Sequence, residues 1–419
     1  MTVDLLEPIH FCSPSRIVFG PGVRRELPAL LRHLGLMSAV LVTDRFFAAP
    51  GRPGAELADA LLKAGIQCAV FDACQPDPSL ALCDAATGAL SGHARPQCVL
   101  ALGGGSNIDL AKVLTLTLVS GAPAASYVGI PSLPHAPLPL IALPTTSGTA
   151  SELTPGAILV AGDGQTKVAV MDNQLRAQLA VIDPELSVSC PPRVTADAGV
   201  DALAHAIESY ITLDASRFDR EGQPDPGYSG RNPLTLMFAR ESIRLCFAHL
   251  QKAYAEPDHM TARSGMALAS LYAGLSYGSA GLHGVHALAY GLAALTHETH
   301  GTTNAAVLPY VMAELAHERM DDLCEIARMA GVYSDSAPTP AGALAAAQHV
   351  RSLIASVGLP TELRRMGLNR DQLPGLVEAG LGVRRLTKAF PATNAPARYA
   401  AIVQAAFLGR LPGEAPRHA

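Results

Sequence analysis

The two halves of this chain have different hydrophobic patterns, and this difference limits the folds open to it. In the first half, short apolar runs alternate with segments whose apolar residues recur at helical spacing. Strands that alternate with helices predict a mainly parallel, buried sheet. Helix-breaking residues cluster in 183–192, and only helical patterns follow them. We therefore predict an α/β N-terminal domain at 1–187 and an all-helical C-terminal domain at 188–419.

The predicted strands are bounded by turn residues and by helical segments. Their ranges are 16–19, 39–43, 67–71, 98–102, 138–143 and 179–182, with a hairpin of 157–160 and 167–171 inserted before the last strand. In the second half, the stretch 213–233 is polar and contains several charges, prolines and glycines. Such a stretch buries little apolar surface, so we expect an exposed loop there.

The composition excludes several classes of protein. The chain has 419 residues, 49% of them hydrophobic, which is enough for two domains with substantial cores. A formal net charge of -5 gives no basic surface for nucleic acid. The uncharged stretch 113–151 is interrupted by prolines and glycines, so no membrane-spanning helix is expected. The eight cysteines are scattered and the first residues lack an export signal, which predicts a reduced, cytoplasmic protein.

A glycine-rich motif follows the predicted strand 98–102. Three successive glycines allow the backbone to approach a phosphate closely, and the start of the next helix points its amides and positive dipole at that phosphate. The alternative is an ordinary flexible turn. The motif is neither Gly-x-Gly-x-x-Gly nor a P-loop. Its candidate cofactor-binding residues are Gly103, Gly104, Gly105, Ser106, Asp109 and Lys112.

Two further features in the first half indicate a nucleotide cofactor. The loop 144–155 is rich in hydroxyl groups that could bind diphosphate or ribose oxygens, although a polar turn would look similar. Asp44 follows the strand 39–43, where a carboxylate can accept hydrogen bonds from ribose hydroxyls and repel a 2'-phosphate; the alternative is a helix cap. We expect NAD rather than NADP. The loop candidates are Thr145, Thr146, Thr149 and Ser151.

Four residues in the second half have the chemistry of a metal site. Asp201 and His205 lie four residues apart in a predicted helix, so their side chains face the same way. His286 lies on an Ala-rich helical run, and His300 is expected where that run ends. One carboxylate and three imidazoles suit Fe or Zn and are a poor set for Mg or Ca. The alternative, histidines that are merely hydrogen-bonded in place, is common for any single one.

These motifs resemble the signatures of a known family. The segments 199–210 and 281–309 are similar to the two metal-binding signatures of the iron-dependent (group III) alcohol dehydrogenases, and all four candidate ligands match in type and spacing. The segments 103–112 and 144–152 resemble that family's nucleotide-binding motifs. The resemblance implies a dehydroquinate synthase-like fold, and it weakens after about residue 360.

The resemblance also implies a function. Members of the family transfer a hydride between NAD(H) and a primary alcohol or aldehyde, using a divalent metal, here Fe(II) first and Zn second. Separately, the low share of charged residues, 16%, predicts burial against other subunits and hence a homodimer or larger homo-oligomer. Lys167 matches the family loosely and becomes a candidate catalytic residue.

Tyr290 is the clearest departure from the family pattern and the second candidate catalytic residue. Family members commonly have His at this position, four residues after the third metal ligand. A phenol stays neutral at pH 7, so it can donate a hydrogen bond to substrate but cannot act as a base near neutrality. Hydroxyacid-oxoacid transhydrogenases resemble the chain here, so a hydroxy acid or semialdehyde bearing a carboxylate is the alternative substrate. A non-catalytic, metal-stabilised nucleotide-binding protein is a third hypothesis.

Overall fold

The chain divides into two compact units. The computed structural model describes residues 8–92, 95–130, 132–162, 164, 166–412 and 414. One unit is Cys12–Cys190, and the other runs from Pro191 onward and includes the described residues before Cys12. In the helical unit, Ser229 Oγ donates a hydrogen bond to the backbone carbonyl of His10 (3.1 Å), and the Phe11 ring stacks on that of Phe238.

The unit Cys12–Cys190 contains a six-stranded sheet in which every pairing is parallel, with the order β1-β8-β5-β4-β2-β3. The strands are β1 (Arg16–Phe19), β2 (Ser38–Val42), β3 (Gln67–Phe71), β4 (Cys98–Gly103), β5 (Leu140–Pro144) and β8 (Leu179–Ile182), and the antiparallel hairpin is β6 (Gly156–Val160) with β7 (Lys167–Met171). The helices are α1 (Leu27–His33), α2 (Arg45–Ala48), α3 (Pro53–Lys63), α4 (Leu80–Leu90) and α5 (Gly105–Ser120). The predicted α/β class with a mainly parallel sheet is confirmed.

Helices cover both faces of this sheet, which explains why its central strands are continuous apolar runs. Along β4, Val99 and Ala101 face the core shared with α4 and α5. Leu100 and Leu102 face the opposite core, which α1 and α3 complete. Successive strand residues point to opposite faces, so a strand covered on both sides must be apolar throughout.

Parallel pairing brings the ends of the central strands to one edge. Val42 of β2 pairs with Ala101 of β4, and Gly103 at the end of β4 pairs with Pro144 at the end of β5. The segments that leave these strands therefore start side by side at the carboxyl edge, where ligands bind in open α/β sheets. These segments contain the predicted cofactor-binding residues.

The second unit is built from helices. They are α6 (Pro192–Ile211), α7 (Pro233–Ala255), α8 (Met260–Ala280), α9 (Gly284–Thr296), α10 (His300–Glu314), α11 (Met320–Met329), α12 (Pro340–Ser356), α13 (Leu373–Gly382), α14 (Arg384–Thr387) and α15 (Ala395–Leu408). Among the described residues from Pro191 onward, β pairing is limited to an isolated bridge between Asp214 and Arg231. α6 is central, because it packs against α7, α8 and α10. The predicted helical C-terminal region is confirmed, and it is where the metal candidates lie.

The stretch 213–233 is only partly the exposed loop that was predicted. Most residues of 216–225 are exposed, but Arg231 is buried. Its guanidinium donates to Asp214 Oδ1 (2.7 Å), to Asp322 Oδ2 (2.5 Å) and to the Tyr210 carbonyl (2.6 Å). The loop ends are buried because their charges are paired, which a count of polar residues does not show.

No helix in the described part of the chain is both long enough and apolar enough to span a membrane. This agrees with the prediction drawn from the prolines and glycines of 113–151.

Candidate metal centre and nucleotide loops

α6 holds the first two candidate ligands in the interior of the helical unit. Pro192 lies in its first turn, where a missing backbone N–H costs nothing, and apolar residues follow. Asp201 and His205 lie one turn apart and are buried. Asp201 Oδ2 is 3.7 Å from His205 Nδ1. The helical spacing therefore places both side chains at one point, as predicted.

His286 and His300 come from two different helices. His286 lies in the first turn of α9, whereas His300 is the first residue of α10. The expectation that His300 ends the same helical run as His286 is wrong. α9 ends at Thr296, because the next residue, His297, has a φ of 57° in the left-handed region.

Asp197 of α6 fixes the start of α10. Its Oδ1 accepts hydrogen bonds from the Thr302 backbone N–H (2.6 Å) and from the Thr302 hydroxyl (2.9 Å). A Cβ at Gly301 would lie 2.1 Å from the Asp197 carbonyl oxygen, so only glycine fits between the two helices. Gly301 thus permits close packing at the position of His300.

The four candidate ligands converge. One ligand atom from each of Asp201, His205, His286 and His300 can be chosen so that all lie within 4.8 Å of one another. The Nε2 atoms of His286 and His300 are each 3.7 Å from Asp201 Oδ1. The Asn304 amide nitrogen lies among these atoms, 2.8 Å from Asp201 Oδ1, 3.1 Å from His286 Nε2 and 3.3 Å from His300 Nε2.

These residues fit a divalent transition metal. His205 Nδ1 is buried and has no hydrogen-bond partner in the described chain, as expected of a ligand nitrogen reserved for a cation. Burial lowers the pKa of His205 to about 3, so its imidazole is neutral, the form that binds metal. Three imidazoles and a carboxylate suit Fe or Zn.

Glu208 orients His286 and was not predicted. Its Oε2 lies 2.5 Å from His286 Nδ1, which leaves Nε2 to face Asp201. Its Oε1 accepts hydrogen bonds from the backbone N–H groups of Val285 (2.7 Å) and His283 (3.2 Å), at the start of α9. Burial alone would raise the pKa of Glu208, but His283 and His286 hold it at about 2, so the group is a carboxylate. Such partners of ligating histidines fix their tautomer and orientation.

Tyr290 lies beside the cluster without joining it, as predicted. It is one turn after His286 on α9, and its ring is nearly parallel to that of His300, at 17° and 5.8 Å between centroids. Its hydroxyl accepts a hydrogen bond from Arg385 Nη2 (3.0 Å). The Arg385 contact was not foreseen. A catalytic role for Tyr290 stays a prediction.

In the Cys12–Cys190 unit, the two predicted nucleotide loops pack against each other. The Thr145 N–H donates to the Gly103 carbonyl oxygen (3.0 Å). A Cβ at Gly105 would lie 2.7 Å from Thr149 Oγ1, whereas a Cβ at Gly104 would make an ordinary contact of 3.6 Å with Thr146 Oγ1. Gly105 therefore serves packing, and Gly104 leaves open backbone at the start of α5.

Three predicted cofactor residues bond instead to the protein interior. Asp109 accepts hydrogen bonds from the Ser151 hydroxyl and from the Ile158 N–H (2.9 Å). Lys112 has no exposed surface, and its ammonium donates to the Thr154 carbonyl (3.0 Å), the Thr154 hydroxyl (3.1 Å) and the Gly156 carbonyl (2.5 Å). Burial lowers the pKa of Lys112 to about 8. An ammonium has three N–H donors, all used here, so Lys112 braces the loops rather than reaching a cofactor.

Asp44 caps a helix. Its Oδ1 accepts hydrogen bonds from the N–H groups of Phe46 (2.9 Å) and Phe47 (3.1 Å) at the start of α2. This is the alternative noted from the sequence. Its second oxygen, Oδ2, is 3.4 Å from Asn107 Nδ2, and the contact with ribose stays a prediction.

Lys167 lies next to the glycine-rich motif. Its ammonium is 2.8 Å from Asp77 Oδ1, and the Asp77 N–H donates to Ser106 Oγ (3.3 Å). Asp77 was missed, and its positive φ of 50° in a non-glycine residue is not visible in sequence. The structure connects Lys167 to a nucleotide loop, and its catalytic role stays a prediction.

Comparison with known proteins shows which family the chain resembles. The family model described as iron-containing alcohol dehydrogenase matches residues 14–184, and that of the family's C-terminal part matches residues 228–407. Long-chain-alcohol dehydrogenase 1 of Geobacillus thermodenitrificans is 33% identical over 95% of this chain and 98% of its own length.

Two solved structures have the same fold. A 1,3-propanediol oxidoreductase is 28% identical, with a TM-score of 0.87 over 96% of this chain and 100% of its own. Sulfoacetaldehyde reductase from Bifidobacterium kashiwanohense, solved in complex with NAD+, is 27% identical, with a TM-score of 0.81 over 97% and 99% of the two chains. Together with the family matches, these similarities show that the chain belongs to the iron-containing alcohol dehydrogenase family.

Proposed function

We propose that this protein transfers a hydride reversibly between NAD(H) and a primary alcohol or aldehyde, with a divalent metal held by Asp201, His205, His286 and His300. Fe(II) is the first choice of metal and Zn the second. The convergence of the four ligand atoms within 4.8 Å carries the proposal. In the oxidation direction, the alcohol carbon gives a hydride to the nicotinamide and the hydroxyl gives up its proton, so the products are aldehyde, NADH and a proton.

The metal would act as a Lewis acid that polarises the substrate oxygen. The chain's own residues would prepare the site. Glu208 holds the His286 ring so that Nε2 faces the other ligands. The Tyr290 ring stacks on that of His300, and its hydroxyl can hydrogen-bond a substrate oxygen, but a phenol, with a pKa of about 10, is not a base at neutral pH. Proton loss near neutrality would therefore not depend on residue 290.

For the cofactor, we propose that the α/β domain (1–187) binds NAD and that the helical domain (188–419) binds metal and substrate. The backbone of Gly104 and the first amides of α5 are suited to the diphosphate, since a helix start favours anions. Thr146 lies next to them and can donate through its hydroxyl. The similar sulfoacetaldehyde reductase was solved with NAD+, which supports this choice of cofactor.

The proposal extends to assembly and compartment. Leu234 and Met237, near the start of α7, are 41% and 53% exposed, and only 16% of the chain is charged. Exposed apolar side chains on one helix support a homodimer or larger homo-oligomer. None of the eight cysteines, all of which lie in the described chain, forms a disulfide, which supports a reducing, cytoplasmic compartment.

Metal removal tests the proposal directly. We expect a chelator to abolish NAD-dependent alcohol oxidation and Fe(II) to restore it. His300→Ala should lower the bound metal, measured by elemental analysis, because one of four ligands is lost. His317→Ala is the matched control, since His317 is exposed and outside the cluster. Full turnover by protein shown to be metal-free would contradict the proposal.

A further inference from the structure

Arg385 is an arginine beside the metal cluster that the proposed reaction does not yet use. It lies in α14, and its side chain reaches Tyr290, where it donates to the hydroxyl (3.0 Å) and lies 5.5 Å from the ring centroid. Tyr290 in turn lies against the His300 ring. One aromatic ring therefore separates the guanidinium from a candidate metal ligand.

The charge of Arg385 has no carboxylate partner in the described chain, where none lies within the 4.0 Å of an ion pair. Other partly buried arginines differ. Arg231 pairs with Asp214 and Asp322, and Arg24 pairs with Asp183. A guanidinium stays charged at all physiological pH values, and placing it away from water without an anion is costly. Arg385 is thus prepared to bind an anion.

The most exposed of the four candidate ligands, His300, contacts Tyr290, the neighbour of Arg385. The His300 side chain is 30% exposed, whereas that of Asp201 is 3% exposed. The Tyr290 ring stacks on this exposed ligand, and its hydroxyl accepts a hydrogen bond from Arg385. A molecule whose hydroxyl reaches the cluster past His300 would have its far end near Arg385.

We propose that Arg385 binds a carboxylate at the far end of the substrate, so that the preferred substrates are short hydroxy acids and the matching semialdehydes. This inference rests on the proposed function. An aromatic ring lies between Arg385 and His300, so the hydroxyl and the carboxylate must be several carbons apart, as in a 4-hydroxy acid. Tyr290 suits this role, because a neutral phenol positions the guanidinium without neutralising it, whereas a protonated histidine would repel it.

The test compares four substrates of one chain length on metal-loaded enzyme: 4-hydroxybutanoate, 2-hydroxybutanoate, 1-butanol and 1,4-butanediol. We expect wild type to have the highest kcat/KM for 4-hydroxybutanoate. Arg385→Met should lower that value about ten- to a hundredfold, mainly through KM, since a hydrogen-bonded charge pair is lost. The kcat/KM for 1-butanol should fall much less than that for 4-hydroxybutanoate, the metal content should stay unchanged, and Arg385→Lys should restore part of the loss.

Arg384→Met is the matched control. Arg384 is the neighbouring residue and is exposed, and its substitution removes the same positive charge. It should leave all four values unchanged. A direct measurement supports the kinetics: butanoate binding to the metal-loaded enzyme, followed by calorimetry, should weaken in Arg385→Met and not in Arg384→Met.

The outcomes separate the two proposals. If wild type oxidises none of the four substrates with NAD, the proposed function fails. If it oxidises 1-butanol but Arg385→Met lowers all four values equally, or strips the metal, the carboxylate role is overturned and the dehydrogenase stands. A preference for 2-hydroxybutanoate over 4-hydroxybutanoate would overturn the proposed spacing between the substrate hydroxyl and carboxylate. A preference for 1-butanol would overturn the proposal that hydroxy acids are the preferred substrates.

Discussion

Glu208 links the metal cluster to the packing of the helices around it. A single buried carboxylate accepts a hydrogen bond from His286 and from the first backbone N–H groups of α9. The orientation of one candidate ligand and the start of its helix therefore depend on the same side chain. Loss of the Glu208 charge should therefore weaken metal binding and also lower the stability of the fold.

Glu208→Gln tests this link at nearly constant volume. An amide offers one acceptor in place of two and points N–H groups at donors, so we expect metal affinity to fall about ten- to a hundredfold. The free energy of unfolding should decrease by about 1–3 kcal/mol. Metal titration and denaturant unfolding measure the two effects. Glu241→Gln, on the exposed side of α7, is the control, and equal behaviour of the two variants would contradict the role of Glu208.

Individual site residues could be predicted best where both the residue type and the spacing along the chain are characteristic of the site. Asp201 and His205 converge because four residues make about one helical turn. Lys112 was misleading, because a lysine at the start of a helix looks the same whether it reaches a phosphate or, as here, three buried protein acceptors. The sequence contains one indication of Glu208, a carboxylate three residues after His205 that follows a stretch, 202–207, in which every residue except His205 is apolar.

In the nucleotide loops, two adjacent glycines have different roles. A Cβ at Gly105 would meet Thr149 at 2.7 Å, so Gly105→Ala should displace the second nucleotide loop and lower stability. A Cβ at Gly104 meets only ordinary contacts, at 3.6 Å or more, within the protein. Gly104→Ala should leave stability unchanged.

The two variants thus separate packing from cofactor binding. We expect Gly104→Ala to raise the KM for NAD by about tenfold, because an added methyl group prevents the close approach of a diphosphate. Gly105→Ala should raise the KM and also lower the unfolding temperature. Thermal unfolding and cofactor titration measure these effects. An unchanged KM in Gly104→Ala would mean that the diphosphate does not lie against this backbone.

The strands were largely predictable and one helix boundary was not. Runs such as β4 are apolar throughout because both faces are covered, and this pattern is visible in the sequence. The end of α9 was missed because the residue that adopts the left-handed conformation is His297 rather than a glycine. Gly301, which follows the position where the run was expected to end, instead lies inside α10 and contacts Asp197.

The whole molecule consists of two compact units, and the predicted family, fold class and enzyme class are confirmed. Membership of an enzyme family, together with the four converging candidate ligands, favours an enzyme over the non-catalytic hypothesis. Three of the helices in one unit, α6, α9 and α10, meet at the candidate ligands. The sheet unit has its own core on both faces.

Metal should therefore stabilise one unit selectively. An ion that binds only the native state at about a hundred times its Kd adds about 2.7 kcal/mol of stability. Hydrogen exchange, resolved by peptide, should slow in α6, α9 and α10 when Fe(II) is added to chelated protein. The strands β2, β4 and β5 serve as the internal reference and should be unaffected. Equal slowing in both units would show that they unfold together.

The unequal exposure of the four candidate ligands has a consequence for how the protein acquires and loses its ion. Asp201, His205 and His286 are buried, while His300 keeps nearly a third of its side-chain surface. An incoming ion therefore meets His300 first, and a departing ion leaves it last. We therefore expect rotation of this one ring, against which Tyr290 stacks, to limit the rate of metal exchange. Retention of metal during purification would then depend on the rate at which the His300 side chain rotates. A molecule bound over His300 would slow the exchange of the metal ion.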